Sequence, residues 1–361
     1  MASSVMGSAK KIPLRFLIVR LSAIGDTVHT LPLAAALKRH FPGCHIGWVV
    51  EKPSAPLVVD NPLVDWHYVL PKGWLKSFGT VSLLRRALKE QKFDTCFDVQ
   101  GLTKSAVAAL LSGAKTRVGF ARGEGRELAP LLDTVRVEPA GVHAIDKTLS
   151  LLSAVGVAAE GGPEFVFPPC PPEDRDVIER FFSQFPSGGQ TCLMGPWGSF
   201  ASKRWPVERF VGLSALLKNG LGLTSVILGH GTEEREKVKK AINGAAPGTV
   251  MLAPDVSVAG VVELSRRARL FVGCDSFPMH VAAGVGCPTV GLFGITDPER
   301  LGPRGAMSRS VFARITLVSS TRERRRLGPE NMLALGVAQV AEACFDLMAN
   351  CGQSGETHLN Y

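Results

Sequence analysis

The sequence is 361 residues long, with 45% hydrophobic and 20% charged residues, which is typical of a globular protein with two domains of about 150 to 180 residues. Its apolar runs are much shorter than the roughly 20 residues that cross a bilayer, so no transmembrane helix is expected. The formal net charge of +9 indicates an anionic partner.

Three kinds of anionic partner would suit this positive charge: nucleic acid, a phospholipid surface and a phosphorylated sugar. Nucleic acid is disfavoured because the basic residues are spread along the chain without an aromatic-interleaved motif. The exception is the arginine-rich run 322–326, which we interpret as a solvated loop, with contact to a membrane surface as the alternative. An anionic glycolipid at a membrane surface fits the positive charge at least as well as nucleic acid does.

The first 13 residues are mostly small and polar and lack the apolar stretch of a signal peptide, so they are predicted to form a disordered N-terminus. The eight cysteines include no CxxC pair, and the eight histidines include no HExxH motif. This pattern predicts reduced cysteines in the cytoplasm and no metal site.

Short apolar runs alternate with longer amphipathic segments, which predicts βαβ units around parallel sheets and an α/β fold. In the first half, the predicted strands are 16–20, 46–50, 67–70, 95–98 and 117–119. The predicted helices between them are 27–40, 81–92, 104–111 and 143–155.

A segment with five prolines and two glycines, 161–172, is predicted to link a domain at 14–160 to a second domain at 173–328. The predicted strands of the second domain are 191–194, 225–228, 270–273 and 289–292, and its predicted helices are 207–219, 233–242 and 258–266. A final helix at 329–349, within the segment 329–361, is expected to pack back on the N-terminal domain.

Polar loops follow several of these strands, where α/β sheets bind ligands. The first loop, 21–30, contains Asp26 and a single glycine instead of the GxGxxG fingerprint, so NAD binding is not supported. Asp26 has two interpretations. It can cap a helix N-terminus, or it can act as a general base that takes the proton of an acceptor hydroxyl.

The second loop, 98–105, begins at the end of a predicted strand. Asp98 and Gln100 fit a tight turn at Gly101. Lys104 lies at a helix start, where the helix dipole disfavours a cation. Its position therefore indicates a nearby anion.

Two loops of the second domain combine glycines with polar side chains. The loop 195–206 contains Ser199 and the cation Lys203, which suit phosphate binding. The loop 229–234 places Glu233 after a glycine-rich turn, where an acid can accept hydrogen bonds from ribose or simply occupy the first turn of a helix.

A third loop of that domain, 273–286, leads into a predicted helix. Asp275, Ser276 and His280 lie around the start of this helix. Its backbone amides suit a pyrophosphate group.

Taken in order, these loops resemble the heptosyltransferase family of inverting glycosyltransferases. The resemblance runs from about residue 15 to 303 and is carried by SAIGDTVHTLP at 22–32, DVQGLTKSA at 98–106, SKRWP at 202–206, DSFPMHVAA at 275–283 and FGITDP at 293–298. It implies a GT-B architecture of two Rossmann-like domains facing across a cleft. It also implies metal-independent transfer of a sugar from a nucleotide sugar.

The resemblance assigns roles to residues at matching positions. Asp26 would be the catalytic base, and Lys203 would offset the charge of the leaving diphosphate. The implied donor-binding residues are Ser199, Lys203, Glu233, Asp275, Ser276 and His280. The implied acceptor-binding residues are Ser22, Gly25, Gln100, Lys104, Arg122 and Arg126.

The segment 98–106 is similar to that of the family members that add the first heptose to Kdo of lipid A. The implied donor substrate is therefore ADP-heptose, with no further cofactor, and the implied acceptor is an anionic glycolipid. A cytoplasmic protein is expected, with peripheral attachment to the inner membrane as an accompanying hypothesis.

One position departs from the family pattern. Phe277 stands where family members commonly have a glycine that lets the backbone approach phosphate closely. Three alternatives stay open: transfer to a later heptose or another sugar acceptor, sugar-nucleotide binding without catalysis, and epimerisation of a nucleotide sugar.

Overall fold

A computed structural model describes residues 14–158, 161–186, 189–313, 323 and 326–355, with residues 352–355 described for their backbone alone. The predicted disordered N-terminus, 1–13, lies outside the described residues. So do the tail 356–361 and three of the four arginines in the run 322–326.

Two parallel six-stranded sheets form the two lobes of the protein. The strands of the N-terminal lobe are β1 Arg15–Val19, β2 His45–Glu51, β3 Trp66–Leu70, β4 Thr95–Asp98, β5 Thr116–Phe120 and β6 Val135–Val137. Those of the C-terminal lobe are β7 Thr191–Gly195, β8 Thr224–Ile227, β9 Val250–Leu252, β10 Leu270–Cys274, β11 Thr289–Phe293 and β12 Ser308–Phe312. The predicted α/β class is confirmed.

The two sheets share one strand order. It is β3-β2-β1-β4-β5-β6 in the first lobe and β12-β11-β10-β7-β8-β9 in the second. In both, the order reverses beside the first strand of the lobe, between β1 and β4 and between β7 and β10. Such a reversal opens a crevice at the carboxyl ends of the two strands, where ligands bind in α/β proteins.

The central strands are almost continuously apolar because helices cover both faces of a parallel sheet. In β1, for example, Phe16, Leu17, Ile18 and Val19 are all buried. Each of the nine predicted strands overlaps an observed one. The three strands that the sequence did not predict, β6, β9 and β12, all lie at sheet edges.

The helices lie at Ile24–Val28, Leu31–His40, Phe78–Gln91, Thr103–Leu111, Ala129–Leu132, Ala144–Ser150, Pro172–Phe182, Val207–Leu221, Gly231–Ile242, Val258–Arg267, Phe277–Gly284, Pro298–Leu301, Glu330–Leu333 and Val337–Gly355. The predicted helix 27–40 is two helices, since the chain breaks before Pro32, which lies in the first turn of the second helix and suits a helix start. None of the described helices is both long and apolar enough to cross a membrane.

The lobes pack directly on each other. The core of the N-terminal lobe includes Val262 and Val281 from the C-terminal lobe, and Phe277 packs against core clusters of both lobes. Apolar contact of this kind fixes how the two crevices face one another.

The C-terminal helix Val337–Gly355 packs against helix Val207–Leu221 and against β10 and β12. Its apolar face joins the core of the C-terminal lobe through Val340, Cys344 and Leu347. The described part of this helix thus packs on the C-terminal lobe, whereas the sequence led us to expect that the segment 329–361 packs back on the N-terminal domain.

Candidate functional site

Both lobes line a cavity of about 510 Å³, although Lys203, Asp275 and His280 are not among its lining residues. From the N-terminal lobe, the loops after β1 and β4 line it with Arg20, Asp26 and Gln100. From the C-terminal lobe, the segment after β11 contributes Asp297 and Arg300. These segments follow strands, as the sequence analysis expected of a site, because parallel strands bring their carboxyl ends to one end of the sheet.

Asp26 lies in the short helix Ile24–Val28, and its side chain is 41% exposed. Its Oδ2 accepts a hydrogen bond from the backbone N–H of Ala23 at 3.1 Å and pairs with Arg20 Nη2 at 2.8 Å. The carboxylate therefore caps its own helix and also stays open to the cavity. Both sequence interpretations of Asp26 are compatible with this geometry.

Arg20 is a site residue that the sequence analysis missed. Its Nη1 donates to the carbonyl of Val99 at 2.9 Å, so one guanidinium ties Asp26 to the loop after β4. Its Nε is buried and has no hydrogen-bond partner among the described residues. A signal was available, since Arg20 is a cation directly after the first strand and six residues before Asp26.

Gln100 holds the first loop in place. Its Oε1 accepts a hydrogen bond from the backbone N–H of Leu21 at 2.9 Å. Asp98 in turn accepts from the backbone N–H groups of Gln100 and Gly101. Burial raises the pKa of Asp98 to about 6, against the opposing effect of these bonds.

Lys104 lies next to an anion, as its position at a helix start indicated. That anion is the carboxylate of another residue of the protein. Lys104 Nζ pairs with Glu51 Oε1 at 2.9 Å and donates to Ser22 Oγ at 3.2 Å. The three side chains come from the segments after β1 and β4 and the end of β2. Acceptor binding by Ser22 and Lys104 stays a prediction.

The other predicted acceptor residues have different surroundings. Arg126 lines the cavity, whereas Arg122 is exposed in the same loop. Gly25 lies against the C-terminal lobe, since a Cβ at this position would be 3.6 Å from the His280 ring and 3.9 Å from the Phe277 backbone. Gly25 is therefore a contact point between the lobes.

In the C-terminal lobe, Lys203 and Asp275 form a buried ion pair, with Nζ and Oδ2 2.5 Å apart. Thr296 Oγ1 donates to the same oxygen at 2.8 Å. Burial opposes ionisation of Asp275, but Lys203 and His280 hold the pKa of its carboxyl well below its ordinary value. The predicted cation is thus anchored by a fixed negative charge.

The remaining predicted donor residues do not all converge. Ser199 is exposed in the loop after β7. Ser276 precedes helix Phe277–Gly284 and donates to the carbonyl of Cys274 at 3.2 Å. Glu233 is 83% exposed and pairs with Lys237 one helical turn later, which is the ordinary role of a first-turn acid.

His29, which the sequence analysis did not select, lines the cavity and contacts the opposite lobe. Its Nε2 lies 3.1 Å from His280 Nδ1, and its ring is 5.7 Å from that of His143. Burial, together with these two histidines, lowers the pKa of His29 well below its ordinary value. His29 is therefore neutral near pH 7.

Charged groups of both signs surround the cavity. Arg126 and Arg300 are two of its cations, while Asp26 and Asp297 are two of its acids. No group of three or more His, Cys, Asp or Glu side chains within the described ranges is arranged to hold a metal ion. A half-exposed carboxylate facing cations across a cleft can remove a proton from a bound hydroxyl while an anionic leaving group is stabilised.

Comparison with known proteins agrees with this architecture. A family described as glycosyltransferase family 9 (heptosyltransferase) matches residues 81–328. Lipopolysaccharide heptosyltransferase 1 of Pseudomonas aeruginosa is 30% identical over 312 residues, which cover 82% of each chain. Lipooligosaccharide heptosyltransferase 2 of Haemophilus influenzae is 25% identical and covers 80% of this chain and 86% of its own.

Among solved structures, E. coli heptosyltransferase WaaC with ADP superposes with a TM-score of 0.72. It is 23% identical and covers 92% of this chain and 100% of its own. This likeness confirms the expected GT-B fold.

Proposed function

This chain belongs to glycosyltransferase family 9, the heptosyltransferases, and we propose that it transfers heptose from ADP-heptose to a Kdo-containing lipid A acceptor with inversion. The observation that carries the proposal is the position of Asp26, half-exposed in a cavity that both lobes line. The named activity of the Pseudomonas relative supports the choice of the first heptose.

In the proposed step, the acceptor hydroxyl attacks the anomeric carbon of the donor heptose directly. The new carbon–oxygen bond forms as the bond to the diphosphate breaks, and the Asp26 carboxylate takes the hydroxyl proton. The bonding electrons leave with the diphosphate. Arg20, bonded to both Asp26 and the Val99 carbonyl, holds the base in place.

Negative charge develops on the leaving diphosphate, so its binding site contributes most when fixed dipoles and cations are already in place. We assign this role to Lys203 and to the amides that begin helix Phe277–Gly284. The Asp275 ion pair prevents Lys203 from moving freely. Phe277 packs into the cores of both lobes, so its side chain is directed away from this role.

A basic–apolar surface on the N-terminal lobe supports an acceptor in a membrane. Its members are Lys72, Leu75, Lys76, Phe78, Leu83, Arg85, Arg86 and Lys89, all of them exposed. Phe78 is 90% exposed, and residues 72–89 include five cations and no acid. The segment begins just after β3, so its start lies beyond the carboxyl ends of the strands, as do the loops after β1 and β4.

The test is transfer by Asp26→Asn, measured with purified enzyme, ADP-heptose and Kdo-lipid A. Loss of the general base should lower kcat by about 10² to 10⁴-fold, while calorimetry shows ADP binding as in the wild type. The exposed Asp176→Asn serves as the matched control and should transfer normally. Near-native turnover by Asp26→Asn would exclude Asp26 as the base.

The match to a heptosyltransferase 2 makes a later heptose the second candidate. An acceptor that already carries one heptose, assayed beside Kdo-lipid A, separates the two. A higher kcat/KM for the heptosylated acceptor would replace the first-heptose assignment and leave the proposed base unaffected.

A further inference from the structure

Two imidazole rings meet where the lobes touch. His29 and His280 are 4% and 6% exposed, their rings lie 4.2 Å apart in an edge-to-face arrangement, and Nε2 of the first is 3.1 Å from Nδ1 of the second. His29 directly follows the helix that carries Asp26. His280 lies in the helix that follows Asp275. The contact therefore joins the two halves of the proposed site.

The contacts of His280 continue on its other side. Its Nε2 faces Asp275 Oδ1 at 3.7 Å, and Asp275 in turn pairs with Lys203. A carboxylate can only accept, so it favours a His280 proton on Nε2. In the neutral ring this leaves the lone pair on Nδ1, to which His29 Nε2 donates. Polar contacts thus run from Lys203 through Asp275 and His280 to His29.

We propose that His29 and His280 are positioning residues that hold Asp26 in register with Lys203 and Asp275 across the cleft. The proposal rests on the proposed role of Asp26 as the base. The backbone N–H of His29 donates to the Gly25 carbonyl at 3.2 Å, and Thr30 Oγ1 donates to the Asp26 carbonyl at 2.9 Å. A shift of His29 relative to the other lobe is thereby passed to Asp26.

A second bond between the lobes lies beside the first. His143 Nε2 is 2.9 Å from the carbonyl of Gly302, and the backbone N–H of Ile145 donates to His143 Nδ1 at 3.1 Å. His143 therefore donates through Nε2, and its ring packs on His29 without contributing a hydrogen bond to it. His143 therefore restricts the orientation of the His29 ring, whereas the hydrogen bond with His280 sets the position of His29 relative to the C-terminal lobe.

Two amide variants distinguish the roles of the two ring nitrogens of His29. His29→Gln keeps a donor near the Nε2 position, whereas His29→Asn places its amide near the Nδ1 position and cannot reach His280. The measurements are kcat for transfer from ADP-heptose to Kdo-lipid A, the Kd for ADP, and the Tm. Because a misplacement of about 1 Å can cost about 10²-fold, we expect His29→Asn to lower kcat by about that factor.

His29→Gln should recover most of the lost kcat, and both variants should bind ADP with a Kd close to that of the wild type. Combining His29→Asn with His280→Ala should lower kcat no further than the more severe single variant does, because both substitutions remove the same hydrogen bond. Equal losses of kcat in the two His29 variants would overturn the proposal. So would a loss that appears in the ADP Kd or the Tm and leaves kcat intact.

Asp26→Asn, assayed in the same series, keeps the two proposals distinguishable. An active Asp26→Asn would remove the base assignment, yet a difference between His29→Gln and His29→Asn would still show that the pair aligns the lobes. If Asp26→Asn is inactive and the two His29 variants have equal kcat values, the proposal for the histidine pair is overturned and the base assignment stands.

Discussion

Arg20 shows how one side chain connects the two central loops of the N-terminal lobe. It is 15% exposed, pairs with Asp26 and donates to the Val99 carbonyl. A lysine has one nitrogen and cannot satisfy both partners with the same planar geometry. We therefore assign Arg20 to positioning the base as well as to neutralising charge near it.

We predict that Arg20→Met lowers kcat by about 10²-fold because the freed Asp26 loses its orientation, and that Arg20→Lys gives a smaller loss. Steady-state transfer kinetics with saturating donor check this. The control is Arg309→Met, which removes a surface pair with Asp346 of the same 2.8 Å length. Identical kcat values for Arg20→Met and the control would contradict the prediction.

Asp133 is a buried acid outside the proposed chemistry. It packs against Gly119, and neither of its carboxylate oxygens has a hydrogen-bond partner among the described residues. Burial, with a further contribution from Asp98, raises its pKa to about 8, although Arg117 and Arg136 oppose the shift. The folded protein thus keeps this carboxyl protonated at neutral pH.

A raised pKa stabilises the folded state at low pH, and that contribution is lost as the pH rises from about 4 towards 8. Relative to Asp133→Asn, which cannot ionise, the wild type should lose stability by at most about 1.4 kcal/mol per pH unit in this range. Urea unfolding of both proteins at pH 5 and pH 8 measures the difference. The exposed Asp255→Asn controls for a changed net charge, and parallel pH profiles for wild type and Asp133→Asn would show that Asp133 ionises freely.

At the scale of elements, the sequence patterns predicted every interior strand and one edge strand, β3, but missed the edge strands β6, β9 and β12. The interior strand β10 is buried along its whole length and β1 at all but its first residue, so both appear as short apolar runs. β6 is Val-Arg-Val, and β12 begins Ser-Arg-Ser with its first residues exposed or half-buried. Such strands pair on one side only and keep polar residues, so they resemble loops in sequence.

The proposed site was predictable for the same reason that the interior strands were. Loops after parallel strands converge, so Asp26, Gln100, Lys203 and Asp275 could be selected from the sequence alone. Their partners could not be selected, because the pairing of Lys104 with Glu51 and of His29 with His280 depends on how strands and lobes pack. Spacing along the chain carries little information on such contacts.

At the scale of the whole molecule, we propose that the basic–apolar surface on the N-terminal lobe meets a bilayer. Phe78 is 90% exposed, and the five cations of the same segment would attract anionic headgroups at about 1 kcal/mol each. Because this surface begins at the sheet edge that carries the Asp26 loop, a bound membrane would present its glycolipids to the cleft.

We therefore predict that the wild type binds phosphatidylglycerol-containing vesicles and that binding weakens as salt rises, since exposed charges are screened. Phe78→Ser should reduce binding by about tenfold or more, because burying a phenylalanine contributes roughly 1.5 to 3 kcal/mol, and Lys76→Glu should reduce it as well. Flotation with phosphatidylglycerol and with neutral phosphatidylcholine vesicles measures both. Leu216→Ser, at an exposed apolar residue of the other lobe, is the matched control, and equal binding by Phe78→Ser and Leu216→Ser would show that the membrane meets a different face.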